Sequence, residues 1–264
     1  MVYSDNARTH YGRAQLAEVI CQLRFPAILS IGAKEPVDFQ EAVRGMFPQY
    51  AARQEQQAPQ IRGLGTPEAK LEPPKTTMNY NFISADGKWK LNLTSTFISL
   101  STVDYTDWET FGKRFDQPLA QFIQLYKPAY FERIGLRYMN IISRNALGLE
   151  GTPWRELIAA PYLGVLADEG IDETRVHKCS VDVEMALDSS CHTKIHAGPG
   201  MVKKNVPGAP QDPEAKFILD MDIFTGGQID PRMAAATMEM LHAHSTPLFQ
   251  GAVTDALHSA MEPK

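Results

Sequence analysis

Arginine side chains on two strand-like segments are the residues of this sequence best suited to binding a ligand. Arg133 and Arg137 share one face of the segment FERIGLRYMNII, with Gly135 between them, and Arg24 occupies the matching position in the segment QLRF. An arginine fork pairs well with a carboxylate or a phosphate group. Two interpretations stay open: the arginines pair with internal carboxylates, which we favour, or they bind an external anion.

The segment that carries Arg137 predicts how this side chain is held. It ends in the apolar residues Ile141 and Ile142, which is typical of a central strand, so Arg137 is expected to be substantially buried. An unpaired buried charge is costly, so Arg137 is also expected to make at least two charge-assisted hydrogen bonds. The residues predicted to bind a ligand or partner are Arg24, Arg133, Arg137, Asn140 and Trp89.

Four carboxylates occupy the polar faces of two further strand-like segments. They are Asp182, Glu184, Asp220 and Asp222. Such a group could bind Mg²⁺ or act in acid/base chemistry. The interpretation that we favour is a solvated face whose carboxylates pair with lysine and arginine side chains.

A group of histidines and cysteines lies close together in the second half of the chain. Its members are His177, Cys179, Cys191, His192 and His196. If residues 188–190 form a hairpin turn, Glu184 pairs with Lys194 and Asp182 with His196, which are favourable cross-strand partners. The same hairpin holds Cys179 and Cys191 far apart, because a strand rises about 3.3 Å per residue. We therefore predict no zinc site and no other metal.

Composition and motifs narrow the function classes. The sequence has no GxSxG, GxxxxGK[ST] or HExxH motif, so no cofactor is expected and enzymatic function is disfavoured. The formal net charge is −5. Net acidity also disfavours nucleic-acid binding, for which Lys88, Trp89, Lys90, Arg24 and Arg137 would be the candidates. The polar start and the lack of a long apolar run predict no membrane association and a cytoplasmic location.

The order of periodic segments predicts an α+β fold made of two β-α-β-β-β-α repeats, residues 1–128 and 129–264. Short turns between strands favour antiparallel sheets packed against long helices, with a pseudo-two-fold relation between the repeats. Residues 51–75 are rich in glutamine and proline and are interpreted as a long exposed loop. Strands are predicted at 16–25, 76–84, from 88 onward, 131–142, 176–187, 191–196 and 216–224. Helices are predicted at 36–47 with Asp38 as N-cap, 107–126, 154–166 and from 231 onward with an interruption at Pro247.

Three segments together resemble a family of bacterial proteins of similar length. They are EVICQLRF at 18–25, GKWKLNLT at 87–94 with FISLST at 97–102 and YTDWE at 105–109, and RIGLRYMN at 133–140. The resemblance covers nearly the whole chain and implies a common fold, but the family offers no activity to carry over. Its sporadic distribution among bacteria suggests an accessory role, such as defence or toxin control.

The resulting expectation is a non-enzymatic binding or regulatory protein that acts as a homodimer or with a protein partner. One alternative is an enzyme or sensor that binds a small anionic molecule through the arginine-bearing sheet face. A second alternative is nucleic-acid binding. The sequence does not specify the ligand, the partner or the oligomeric state.

Overall fold

The computed structural model describes residues 10–56, 60–62, 70–72, 76–202 and 212–264. It has an α+β fold with a nine-stranded antiparallel sheet and a separate two-stranded hairpin. The strands are β1 (Leu16–Arg24), β2 (Gln49–Gln56), β3 (Gln60–Arg62), β4 (Lys70–Glu72), β5 (Thr76–Ile83), β6 (Trp89–Leu93), β7 (Phe97–Thr102), β8 (Phe131–Ile142), β9 (Val181–Ala186), β10 (His192–Met201) and β11 (Ala215–Ile229). The helices are α1 (Leu29–Ala33), α2 (Val37–Val43), α3 (Trp108–Tyr126), α4 (Arg144–Leu147), α5 (Trp154–Leu157), α6 (Ala234–Ala252) and α7 (Asp255–Ala260).

The strand order in the large sheet is β2-β5-β6-β7-β1-β8-β11-β10-β9, and β3 pairs with β4. The chain divides into two compact units. Unit 1 comprises Met1–Ile20, Gly135–Thr225 and Ala235–Lys264, and unit 2 comprises Cys21–Ile134 and Gly226–Ala234. Strands β1, β8 and β11 each contribute residues to both units.

Unit 2 has an aromatic core between α3 and its strands. Helix α3 begins where the Asp107 side chain accepts a 2.6 Å hydrogen bond from the Thr110 amide, so the predicted N-cap is confirmed. The helix buries an apolar stripe that includes Phe111 and Phe122. The ring of Phe122 lies 4.8 Å from that of Phe25, which follows β1. Burial of such large rings is the main stabilising contribution in this unit.

In unit 1, α5 packs against β11 and α6 packs against β8. The Trp154 ring of α5 lies 5.3 Å from the Phe217 ring of β11. The Tyr138 hydroxyl of β8 is 2.8 Å from Nδ1 of His242, so α6 lies on the face of β8 that carries Tyr138. The opposite face of these strands carries the charged side chains described below.

Several sequence predictions need correction. Residues 51–56 belong to β2, and 60–62 and 70–72 form β3 and β4, so 51–75 is not one long loop; the rest of that segment lies outside the described residues. Strand β2 was missed because it has little apolar periodicity and pairs with β5 through its backbone. The helix at 154–166 ends at Leu157 and continues as 3₁₀ turns at 160–162 and 164–167, which suits Pro161.

Helix boundaries also differ in detail. Helix α2 has Pro36 at its N-cap without a side-chain bond, and Asp38 lies in its first turn. Helix α6 runs through Pro247 to Ala252 without the expected interruption. Strand β9 is shorter than predicted, whereas β10 and β11 are longer. Within the described residues, no helix combines the length and the hydropathy that crossing a bilayer requires.

Candidate functional site

Strands β8 to β11 of unit 1 present one apolar and one charged face. Thr193, Ile195 and Ala197 of β10 are buried on the covered face, while Lys194 and His196 between them are exposed on the other. The alternation follows from the two-residue period of a strand. We call the second surface the charged face. It consists of Arg137, Asp182, Glu184, Lys194, His196, Asp220 and Asp222.

Arg137 and Asp220 form a bidentate ion pair across β8 and β11. Nε of Arg137 donates a 2.7 Å hydrogen bond to Oδ1 of Asp220, and Nη2 donates to Oδ2. This hydrogen bonding to Asp220 raises the pKa of the Arg137 guanidinium, and the negative charges of Asp222 and Glu18 contribute further. The expected pair of charge-assisted hydrogen bonds is therefore confirmed, with an internal partner.

Arg137 was expected to be substantially buried, but it is only partly buried. Its side chain is 41% exposed, whereas that of Asp220 is 15% exposed. Strand β8 is central in the sheet, between β1 and β11, as predicted. A central strand can still present an arginine to water when its other face is the one covered by a helix, as α6 covers the face of Tyr138.

The other two basic side chains of the charged face, Lys194 and His196, are also paired across strands. Nζ of Lys194 lies 3.2 Å from Oε2 of Glu184, and Nδ1 of His196 lies 2.7 Å from Oδ1 of Asp182. The predicted hairpin register of β9 and β10 is confirmed by the same residue pairs. On the other side of β10, Lys194 is opposite Asp222 and His196 is opposite Asp220. Lys194 and His196 each lie between carboxylates of two neighbouring strands.

A shallow cavity of about 320 Å³ lies over this surface. Four carboxylates and three potentially cationic side chains line it. With His196 neutral, the formal charges are −4 and +2, so the cavity is acidic overall. Such a surface attracts cationic groups and repels phosphates.

The other predicted site residues lie elsewhere or serve the core. Arg24 is exposed at the end of β1 in unit 2, and Arg133 is half-buried in the same unit. Trp89 is 7% exposed and its ring packs 5.2 Å from the Arg114 guanidinium, so it offers little surface to a ligand. Asn140 is buried in unit 1, where its amide donates to the Leu219 carbonyl at 3.4 Å.

The histidine and cysteine group is spread along the hairpin. Cys191 lies at the turn, where its amide donates to Oδ1 of Asp188 at 2.8 Å. Cys179 lies beside Gly198 at the other end of β10, and its thiol donates to the Leu163 carbonyl at 3.4 Å. Across the described ranges, no set of three or more His, Cys, Asp or Glu side chains is placed to hold a metal ion.

A larger cavity of about 770 Å³ lies elsewhere in unit 1, but its central polar groups bind one another. Arg144 stacks on the Trp154 ring at 4.2 Å and donates to Oε1 of Glu173 at 2.7 Å. Glu214 accepts hydrogen bonds from the Ser143 hydroxyl at 2.6 Å and from the Asn145 amide at 3.0 Å. These contacts hold the loop after β8 in place.

A cluster of asparagines in unit 2 was missed by the sequence interpretation. Nδ2 of Asn92 donates to Oδ1 of Asn79 at 3.0 Å and to Oδ1 of Asn81 at 2.7 Å, and Nδ2 of Asn79 donates to Glu55 at 2.8 Å. Asparagine is depleted in strands. Two asparagines at alternate positions of one strand and a third in the next could have indicated from the sequence that these strands carry a polar face.

No protein-family model matches the sequence, and no curated protein is significantly similar to it.

Proposed function

We propose that this chain is a non-enzymatic binding protein that docks a basic, extended segment of a protein partner on the charged face of unit 1. The observation that carries the proposal is the pairing on that surface, where Arg137, Lys194 and His196 each have a carboxylate partner. The net formal charge of the side chains that line the surface is negative. The charged face therefore favours lysine and arginine side chains over anions.

The alternative of a small anionic ligand has less support. An arginine fork recognises a carboxylate or phosphate with its paired N–H groups. Asp220 already accepts from Nε and Nη2 of Arg137. A phosphate would have to displace this carboxylate and would meet the negative charge of Asp222 beside it. Nucleic acid is disfavoured for the same reason.

Strand β9 supplies a second element of recognition. It is the last strand of the sheet order, so its outer backbone groups have no strand neighbour within the described ranges. An extended segment can add itself to such an edge through main-chain hydrogen bonds. Asp182 and Glu184 project from β9 on the charged face, so a partner strand with basic residues is preferred over a second copy of β9, which would bring the same carboxylates together.

The strand order also supports the proposed internal duplication. Starting from the central pair, β1 is followed outward by β7, β6 and β5, and β8 is followed outward by β11, β10 and β9. The strand beside β1 is β7, the last in sequence of β5, β6 and β7, and the strand beside β8 is β11, the last in sequence of β9, β10 and β11. This arrangement is what two β-α-β-β-β-α repeats with a pseudo-two-fold axis would give, and a superposition that places Arg24 on Arg137 would test it.

The docking proposal is tested with a synthetic peptide of alternating lysine and valine, added to the isotope-labelled full chain and followed by amide NMR shifts. We expect shifts in β9 and β10 that disappear at high salt, and none with a peptide of alternating glutamate and valine. Asp182→Lys should weaken binding about tenfold or more. Glu239→Lys, at an exposed position of α6, makes the same charge change and is the matched control. Shifts elsewhere, or equal binding by both variants, would refute the proposal.

A further inference from the structure

Five buried polar residues lie on three adjacent strands of unit 2. We call them the amide cradle: Asn79 and Asn81 of β5, Asn92 of β6, and Ser99 and Ser101 of β7. They are between 5% and 9% exposed. Polar side chains at this depth are normally hydrogen-bonded. Their bonding pattern therefore shows what the cradle still lacks.

The five residues share one face of the sheet. Asn81 is the cross-strand partner of Asn92, and Asn92 is the partner of Ser99. Directly paired residues have Cβ atoms about 4.5–5.5 Å apart. Asn79 and Ser101 are on the same face because they lie two residues from Asn81 and Ser99. The cradle thus consists of a row of three side chains with one further residue on each outer strand.

The asparagines satisfy one another only in part. Both amide hydrogens of Asn92 are used, by Oδ1 of Asn79 and by Oδ1 of Asn81. Nδ2 of Asn81 donates to the Asn79 carbonyl at 3.1 Å, and Nδ2 of Asn79 donates to Glu55. Oδ1 of Asn92 receives no hydrogen bond from any residue that the structure describes. One acceptor in the middle of the cradle therefore remains available.

The two serine hydroxyls are available as well. Neither Ser99 nor Ser101 makes a side-chain hydrogen bond to another described residue, although each is only 5% exposed. The fully buried polar atoms without a partner in the described chain are on Trp108, Arg114, Tyr162 and Gln250, and no cradle atom is among them. The cradle atoms thus keep contact with accessible space. Three polar groups of the cradle, one acceptor and two hydroxyls, therefore are not completely buried and have no hydrogen-bond partner among the described residues.

The chemistry of these groups defines the ligand class. The five side chains of the cradle are uncharged, and the charged residues at its edges are of both signs: Lys90 is the cross-strand partner of Ser101, Arg53 is that of Asn79, and Glu55 accepts from Asn79. The hydrogen-bonding groups at its centre therefore define the ligand. Oδ1 of Asn92 requires an N–H donor, and a neighbouring serine hydroxyl can donate to a carbonyl. Phe97, half-buried two residues before Ser99, adds an aromatic ring on the same face. This set of groups suits a flat, uncharged molecule.

We propose that the amide cradle binds a small neutral ligand that presents adjacent N–H and C=O groups on one planar edge. A nucleobase and a primary carboxamide both have this edge. The N–H donates to Oδ1 of Asn92, and the C=O accepts from Ser99 or Ser101. This site is independent of the charged face of unit 1, and its test does not depend on partner docking.

The test uses uracil and nicotinamide as probes, with saturation-transfer NMR on the full chain. Uracil represents the nucleobase source and nicotinamide the carboxamide source. We expect transfer to at least one of them and none to 1,3-dimethyluracil, in which methyl groups replace both N–H donors of uracil. The double variant Ser99→Ala, Ser101→Ala should lose about tenfold or more in affinity, because its site no longer donates to the carbonyl.

Melting temperatures separate a binding role from a structural one. The serine hydroxyls bond to no described residue, so the double variant should melt like the wild type. Ser84→Ala is the matched control, since the Ser84 hydroxyl donates to Oδ1 of Asp86 at 2.5 Å and accepts from the Trp89 amide at 3.0 Å, and its loss should lower the melting temperature. The proposal is overturned if neither probe binds, or if the double variant melts as low as Ser84→Ala.

Discussion

Replacement of Arg137 measures how much its fork to Asp220 stabilises unit 1. Hydrogen bonds to charged groups contribute about 1.5–3 kcal/mol each, whereas exposed ion pairs contribute about 0.2–1 kcal/mol. Arg137 is 41% exposed, so solvent screening lowers its contribution, while Asp220 is 15% exposed and would be left without its main partner. We expect Arg137→Met to lower the free energy of unfolding by about 2 kcal/mol. Arg137→Lys keeps the charge but loses the fork, and should cost about 1 kcal/mol.

Urea unfolding and thermal melts of the full chain check these values. A loss of about 1 kcal/mol corresponds to about 2–4 °C in melting temperature for a chain of this size. A double-mutant cycle with Asp220→Asn isolates the pair, and we expect a coupling energy of about 1 kcal/mol. Additivity within about 0.3 kcal/mol would refute the pairing as a stabilising interaction.

The same variants test whether Arg137 binds an external anion. Because Asp220 occupies the fork, phosphate should change the melting temperatures of the wild type and of Arg137→Lys equally. If phosphate stabilised the wild type but not Arg137→Lys, Arg137 would be a residue that binds an anionic ligand. That result would also contradict the acidic docking surface that we propose for the charged face.

Three further predictions concern backbone fit and pH. Gly198→Ala should lower the free energy of unfolding by more than about 2 kcal/mol in urea melts, because the new Cβ would lie 2.4 Å from the Cys179 carbonyl oxygen. Gly112→Ala, within helix α3 and with no atom within 4 Å of the new Cβ, should instead raise it by about 0.5–1 kcal/mol; a loss would show that the helix needs the glycine. Burial raises the pKa of the Cys191 thiol from 9.0 to about 11. As the pH rises, this thiol therefore loses its proton in the unfolded chain before it does so in the folded chain. The free energy of unfolding should fall between these two pH values, on the order of 2 kcal/mol in total. Cys191→Ala should remove that part of the alkaline loss, and an identical pH profile for variant and wild type would contradict the assignment.

The sequence determined the elements whose side chains alternate or form a stripe. Residues Phe131–Ile142 are a strand with the predicted bounds, and helix α3 begins after the predicted cap at Asp107. The register of β9 and β10 also followed from local chemistry, since complementary charges face each other only when Glu184 pairs with Lys194. These features depend on neighbours in sequence, where periodicity and charge can be read directly.

Only the tertiary structure decided which distant groups meet. Strand β2 has little apolar periodicity, and it is placed by its backbone pairing with β5 and by the Tyr50 ring, which lies 5.5 Å from the buried Phe82 ring. Asp220 was one of several possible partners for Arg137, and the sheet order that places β11 beside β8 selected it. The amide cradle exists because the registers of β5, β6 and β7 bring Asn81, Asn92 and Ser99 into one row. A shift of one residue would turn these side chains to the opposite face, so the site is a property of strand register, which the individual segments do not encode.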